Sequence, residues 1–394
     1  MSRRLRVLFV NPGRDLGGAE RSLLLLLRWL RANGVDPTVG LFADGPFAVR
    51  VGALGIPTVI LDLAGAVRQA SRYRAPGFFG TALLSFQALP AVVRLARLVR
   101  RLDVDVVHTN GLKAHLLGGL AGRLVRRPVV WHLRDFLPHG LAGRVFRRSA
   151  RSLPSLVFVV SDAVAADLRA PGQPTVPIVK LYDPIDISHF GPCPSTEHIR
   201  EELSLSAEAP LIGMVAHLTP WKGHEDFLRI ARIVGVAVPE ARFLVAGGPI
   251  YETEGHSGYA EWLRGRAVEL GLGDRVTFLG KRDDVPKILA SLDVLVHCPT
   301  APEPYGLVVI EAMAAQRPVV AARAGGIPEI VEHEVTGLLT DPGDVSAFAG
   351  SVLRLLGDPA LRRRMGEAGR RRATALCDPT PFAAAVLDAY RTLA

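Results

Sequence analysis

Cysteine is scarce in this chain of 394 residues: there are three, Cys193, Cys298 and Cys377, widely spaced and never in a CxxC pair. So small and odd a set argues against a disulfide framework or a cysteine-built zinc site, and it fits a reducing compartment. A long apolar run is also missing. The longest charge-free stretch, residues 75–93, is interrupted by Pro76, Gly77, Gly80, Ser85, Gln87 and Pro90. A membrane-spanning helix needs about 20 predominantly apolar residues, so this stretch reads as a loop and helix that suits a core or a membrane surface. Residues 3–10 are charge followed by a short strand with no cleavage site behind them, so no secretory leader is expected and a cytoplasmic location is. Short repeats, low-complexity tracts and recognised nucleic-acid motifs are lacking, which speaks against a nucleic-acid partner. No DxD motif follows a strand to hold a divalent metal.

What is present is globular: 49% of residues are hydrophobic and 22% charged. The length suits two domains of ordinary size. Charge is uneven. Residues 1–190 carry 26 Lys and Arg against 12 Asp and Glu, whereas residues 191–394 carry 21 against 26. A basic first half suits an anionic partner, such as a phosphorylated or lipid-linked acceptor or a peripheral contact with the inner membrane face. It is equally what liberal use of arginine on solvated faces would leave.

Strand-like and helix-like segments alternate throughout, which predicts the α/β class. A strand at 5–10, a turn at 11–18 and a helix at 19–32, closed by Asn33-Gly34, form the opening βα unit. Further strands are expected at 38–42, 58–61, 104–108, 128–133, 156–160 and 178–181, with helices at 89–102 and 114–125 and Ser161 as a helix N-cap. The turn-rich segment 183–209 is where the connection between domains is expected. The pattern then restarts, with strands at 211–216, 242–246, 276–279, 294–297 and 318–322, all reading as buried on both faces, as in a parallel sheet. The expected domains are 1–190 and 191–377, with a C-terminal helix at 378–394 returning to the first.

The sharpest chemical signal is the run EPYGLVVIE, which opens on Glu303 and closes on Glu311. Were the run helical throughout, the two carboxylates would lie about 12 Å apart along the axis. That exceeds the roughly 5–9.5 Å of a paired acid/base site, so they suit the two ends of one extended ligand. The backbone N–H groups of Tyr305, Gly306, Leu307 and Val308 would face an anion between them. A second strand–glycine–helix turn follows at Gly325-Gly326-Ile327-Pro328-Glu329, another potential phosphate cradle. After the strand at 211–216, the run from His217 to Lys222-Gly223 offers a cation for a diphosphate. Each has a plainer reading too: glutamates of an ordinary helix, a glycine turn, a solvated lysine.

In order along the chain, the runs GGAE from Gly17, VVSD from Val159, YDPID from Tyr182 through Phe190, PWKG from Pro220, FLVAGG from Phe243, VTFLG from Val276, the Glu303–Glu311 run and GGIPE from Gly325 resemble the retaining GT-B glycosyltransferases of family 4. The resemblance covers nearly the whole chain and is most specific in the second half. It implies two Rossmann-like domains with parallel sheets facing across a cleft that holds the donor. It further implies that Glu303 meets the donor sugar or its phosphate, Glu311 the ribose and Lys222 the diphosphate. Gly17 and Gly18 would close over the donor, and His132 in WHLRD would lie near the transferred sugar. The family often has Arg five residues before the lysine; here that position is His217, which can be neutral where Arg cannot. Arg134 is a candidate to supply the missing cation. The expected activity is transfer from a nucleoside diphosphate sugar to the hydroxyl of a sugar, natural-product or lipid-linked acceptor, with retention and no metal or other cofactor. The alternative is a non-catalytic sugar-nucleotide-binding or membrane-associated partner of the same fold.

Overall fold

The computed structural model describes residues 3–61, 63, 78–169, 176–191, 197–206, 208–249 and 258–394. Cys193 and much of the apolar stretch at 75–93 lie outside the described residues or side chains. Among the described residues, no helix is long and apolar enough to cross a membrane.

The chain divides into two units. Residues 1–184 with 379–394 form the first, and 185–378 the second. The division falls after Pro184, within the turn-rich segment 183–209 and ahead of the expected domain bound at 190.

The first unit runs β1 (Leu5–Asn11), α1 (Gly18–Ala32), β2 (Val35–Leu41), α2 (Pro46–Ala53), β3 (Thr58–Ile60), α3 (Phe78–Arg101), β4 (Val106–Asn110), α4 (Leu112–Leu124), β5 (Val129–Leu133), α5 (Gly140–Ser149), β6 (Leu156–Val159), α6 (Asp162–Arg169) and β7 (Ile178–Lys180). Its strands are all parallel, in the order β3-β2-β1-β4-β5-β6-β7. Central strands are buried on both faces, with Val7, Leu8, Phe9 and Val10 essentially inaccessible. This is why they read as continuous apolar runs. Ser161 caps α6: its hydroxyl accepts the Val164 N–H at 3.1 Å.

Several bounds differ from the sequence expectation; β2, for one, starts at Val35 where 38 was expected. The helix expected from 89 begins at Phe78. The strand expected at 104–108 runs from Val106 to Asn110. Part of its polar end is satisfied within the sheet and its neighbours. The Thr109 hydroxyl lies 2.8 Å from His115 Nδ1 and donates to the Val130 carbonyl at 3.1 Å, and His108 Nδ1 lies 2.6 Å from the Tyr390 hydroxyl.

The second unit runs β8 (Leu211–Val215), α8 (His224–Ala237), β9 (Arg242–Ala246), α9 (Tyr259–Glu269), β10 (Val276–Gly280), α10 (Val285–Ser291), β11 (Val294–His297), α11 (Leu307–Ala314), β12 (Val319–Ala322), α12 (Ile327–Ile330), β13 (Gly337–Thr340), α13 (Val345–Gly357) and α14 (Pro359–Cys377), with α7 (Glu197–Glu202) ahead of β8. The sheet order is β10-β9-β8-β11-β12-β13, again all parallel. The edge strand β13 had no expectation from sequence. It is four residues long between polar turns, too short for periodicity to register, and pairing with β12 defines it.

After α14 the chain re-enters the first unit as α15 (Pro379–Leu393), where Phe382, Ala383, Val386, Leu387 and Tyr390 join the core formed by α1 and β1. Cys298 and Cys377 are buried free thiols.

Candidate functional site

In an open parallel sheet, ligands bind beyond the carboxyl ends of the strands where the strand order reverses. In the second unit that point lies between β8 and β11. Lys222 follows β8 and Glu303 follows β11, and the two meet there: Lys222 Nζ donates to Glu303 Oε2 at 2.7 Å. Both side chains are largely buried, at 13% and 11% exposure. Nε2 of His297, the last residue of β11, lies 3.4 Å from the same oxygen.

Three backbone devices create this meeting. The turn Pro220–Lys222 ends on Gly223 with φ +81, and a Cβ there would lie 1.8 Å from the Cys298 carbonyl oxygen. Only glycine tolerates both conditions. The Thr300 N–H donates to the Trp221 carbonyl at 2.8 Å, which ties the Lys222 turn to the loop beyond β11. On the other side, Glu303 forms a β-bridge with Gly325, and the Gly326 N–H donates to the Glu303 carbonyl at 2.8 Å. Trp221 lies under the ammonium, with Lys222 Nζ 4.1 Å from its ring centroid.

Burial pushes the Glu303 carboxyl up, but the adjacent Lys222 ammonium, which also donates a hydrogen bond, and the His297 imidazole 3.4 Å away outweigh it, bringing the group down to about 2. Glu303 is therefore a carboxylate at neutral pH, an acceptor and not a proton donor.

Several expectations change with these contacts. Glu303 and Glu311 do not lie along one helix. Gly306 has φ +98 and helix α11 starts only at Leu307, so the axial estimate of their separation does not apply. Glu311 is half-buried within α11. The Tyr305 side chain is buried, with its hydroxyl 3.0 Å from Cys377 Sγ, so only its backbone remains for a ligand. Leu307 opens the helix whose first N–H groups lack intrahelical acceptors. Gly325-Gly326 serves Glu303 instead of forming an open cradle, since the Gly326 amide is taken by the Glu303 carbonyl. His217 is exposed in the loop after β8, which is held by a Leu218 N–H to Gly248 carbonyl bond of 3.2 Å.

In the first unit the strand order reverses between β1 and β4. Gly17 and Gly18 stand at the start of α1 beyond β1. The Gly17 N–H donates to Glu20 Oε2 at 3.1 Å, and Glu20 Oε1 accepts from Asn11 at 3.3 Å. The Gly17 amide thus caps its own helix and is not directed at a ligand in this arrangement.

His132 is fully buried near the end of β5, among His108, Phe158 and Phe382. Burial, then the Arg134 charge and the neighbouring His108 and His115 hold it well below the usual histidine range, so its imidazole is neutral at pH 7. Arg134 Nε donates to Asp183 Oδ2 at 2.7 Å, and Nη1 donates to Asn110 Oδ1. Asp183 Oδ1 lies 3.7 Å from His132 Nε2. The guanidinium is therefore engaged within its own unit. Its Nη2, the Asn110 amide nitrogen and both His132 ring nitrogens are buried without a hydrogen-bond partner, the pattern of groups that await a ligand or water.

Sequence reasoning missed His297 and the roles of Asp183 and Asn110. Asp183 was visible within the YDPID run, but nothing in its spacing pointed to a strand end some fifty residues earlier. Asp183→Ala leaves the buried Arg134 charge unpaired and is expected to lower unfolding stability by about 3–5 kcal/mol. Urea denaturation measures it, and a loss under about 1 kcal/mol, the median worth of a surface pair, would contradict the assignment.

Two doubly wound units, the second presenting a lysine and the helix N-terminus after Gly306 at its switch point, define a class of α/β protein with a cation and free helix amides beyond its strand ends. The particular family follows from comparison with known proteins. Residues 16–189 match the model of Glycosyltransferase Family 4, and residues 195–372 match that of Glycosyl transferases group 1. The chain belongs to this glycosyltransferase family and has the GT-B fold. It is 37% identical over 316 residues to a D-inositol 3-phosphate glycosyltransferase of Mycobacterium sp. (strain JLS), covering 78% of this chain and 66% of that one, just under two thirds of its length. It is 26% identical to the N-acetyl-alpha-D-glucosaminyl L-malate synthase of Bacillus anthracis over 70% of this chain and 72% of that one. Among solved structures, Anabaena Alr3699/HepE in complex with UDP and glucose superposes with a TM-score of 0.84 at 28% identity, covering 99% of this chain and all of that one.

Proposed function

We propose that the protein transfers a sugar from a uridine diphosphate sugar to an acceptor hydroxyl, with retention of anomeric configuration and without a metal. The observation that carries this reading is the buried Lys222–Glu303 pair at the switch point of the second sheet. A diphosphate leaving group gains charge as its bond to the sugar breaks, and fixed cations and N–H dipoles lower that barrier. Lys222 and the first amides of α11 supply both. They do the work that a divalent ion does elsewhere, and this is the basis for proposing metal independence.

Glu303, ionised, accepts hydrogen bonds from sugar hydroxyls, and Glu311 takes the ribose. The acceptor oxygen attacks the anomeric carbon from the face that the diphosphate leaves, and its proton passes to the departing phosphate oxygen. No enzymic nucleophile is invoked. The choice of uridine rests on the UDP and UDP-glucose complexes of HepE.

A thermal-shift screen of UDP-, GDP-, ADP- and dTDP-sugars tests the donor. A ligand at a hundredfold its Kd stabilises the fold by about 2.7 kcal/mol, which raises the melting temperature by about 5 °C for a domain of this size. The UDP-sugar is expected to give that shift, and silence from all four would overturn the reading. Transfer is expected to continue undiminished in EDTA; strict dependence on an added divalent ion would remove the metal-free part.

A further inference from the structure

In the free protein Lys222 Nζ holds Glu303 Oε2 at 2.7 Å. When Lys222 turns to a diphosphate, the carboxylate loses that cation at 11% exposure, in a largely buried setting. A buried charge left without its partner is strongly destabilising. The exchange therefore needs a second donor beside Glu303.

His297 stands in that place. It closes β11, in register with Ala321 of β12. Strand alternation sends Val294, Val296 and Cys298 into the core beneath α8, so His297 points to the opposite face of the sheet. Its side chain is 3% exposed, and Nε2 lies 3.4 Å from Glu303 Oε2, the oxygen that Lys222 already holds. In this arrangement Nε2 makes no hydrogen bond, and the ring meets no other partner among the described residues. Buried polar atoms are normally paired; this one waits beside a carboxylate that is taken. The spacing of the three groups is held by the backbone. The Cys298 thiol, next in sequence, donates to the Gly223 carbonyl at 3.4 Å, which ties the end of β11 to the turn that carries Lys222.

We infer that His297 is a positioning residue for the transfer: as Lys222 leaves for the diphosphate, the His297 Nε2–H takes over the Glu303 carboxylate and keeps it aimed at the donor sugar. The ring serves with hydrogen on Nε2, as the neutral tautomer or as the imidazolium. The inference rests on the proposed transfer, to which it adds a partner exchange: one carboxylate passes from a lysine to a histidine. His297 acts through Glu303.

Calorimetric titration of full-length variants with UDP tests it. His297→Leu is expected to weaken UDP binding about tenfold, the effect of losing one charge-assisted hydrogen bond. His297→Gln, which keeps an N–H donor near the place of Nε2, is expected to stay within about twofold of the wild type. With Glu303→Gln already in place no carboxylate is stranded, so adding His297→Leu is expected to change UDP binding by less than about twofold. A general loss of packing would weaken binding in both backgrounds alike. A melting temperature near that of the wild type verifies folding; should His297→Leu unfold, His297→Asn, whose shorter amide stops short of the Nε2 position, replaces it. A urea-unfolding arm needs no nucleotide. Lys222→Met and His297→Leu each leave Glu303 one neighbour, and the double variant leaves it neither, so its midpoint is expected to fall by more than the two single losses combined. The inference is overturned if His297→Leu binds UDP like the wild type, if it weakens binding equally beside Glu303→Gln, if Gln does not restore binding, or if the urea losses merely add. A wild type that binds no UDP removes the uridine donor instead, and the urea arm then decides His297 alone.

Discussion

Glu303→Gln is expected to bind UDP more tightly than the unaltered protein while transferring sugar about a hundred- to a thousand-fold more slowly. The two effects have opposite signs for one reason. With no nucleotide bound, the Lys222 ammonium already has a counter-ion, the Glu303 carboxylate at 2.7 Å in a largely buried setting. An incoming diphosphate must share or displace that partner. The amide keeps the size and hydrogen-bonding reach of the carboxylate but not its charge, so Lys222 is released for the phosphate. A charge-assisted hydrogen bond contributes about 1.5–3 kcal/mol. Recovering even part of it tightens UDP binding about fivefold or more. Transfer is lost because the ionised group that receives the sugar hydroxyls is gone.

Calorimetric titration with UDP and a transfer assay read the two effects separately. Weaker UDP binding together with full turnover would remove Glu303 from the site. The carboxyl's depressed position also sets a pH window. Its folded value of about 2 lies below the ordinary 4.5, so the stability it contributes is complete above about 4.5 and is lost as pH falls towards 2. The pair is therefore intact throughout the neutral range.

Gly325→Ala should abolish function from a position that needs no contact with substrate. Gly325 has φ +65, and a Cβ there would lie 2.0 Å from the Glu303 carbonyl oxygen, a backbone atom that cannot turn aside. The substitution combines left-handed strain with a clash, and it is expected to cost about 2–4 kcal/mol of stability. Relief requires the 303–325 bridge to open, which moves Glu303 away from Lys222. A displacement of about 1 Å at such a site costs about a hundredfold in rate. Gly343→Ala is the control: φ is +80, but nothing lies within 4 Å of the added methyl. It is expected to lose about 1 kcal/mol and no activity. Should the two variants behave alike in urea unfolding and in transfer, Gly325 does not hold Glu303.

The same contacts show why some of this architecture is visible in the chain and some is not. Strand β9 matches its expected bounds, 242–246, and β11 its own, 294–297, because a strand buried on both faces leaves an unbroken apolar run between polar turns. Strand β4 slid by two residues because Thr109 and Asn110 look like a turn until the Val130 carbonyl and Arg134 are in place to partner them. The motif residues stood out by type and spacing. Their partners did not, because Lys222 and Glu303 are 81 positions apart and Asp183 is 49 positions from Arg134.

The order of apolar runs, glycines and helix signals by itself determined two doubly wound α/β units and the loops that carry their polar residues. Those properties are local, set by side-chain periodicity and by the few residues that tolerate positive φ. Which charges are neutralised and which amides are used up was decided only by tertiary structure. Lys222 is held by Glu303, Arg134 by Asp183 and Asn110, and the Gly326 amide by a carbonyl. Coulomb attraction and hydrogen bonding act over a few ångströms of space, and folding, not sequence distance, sets which groups come within that reach.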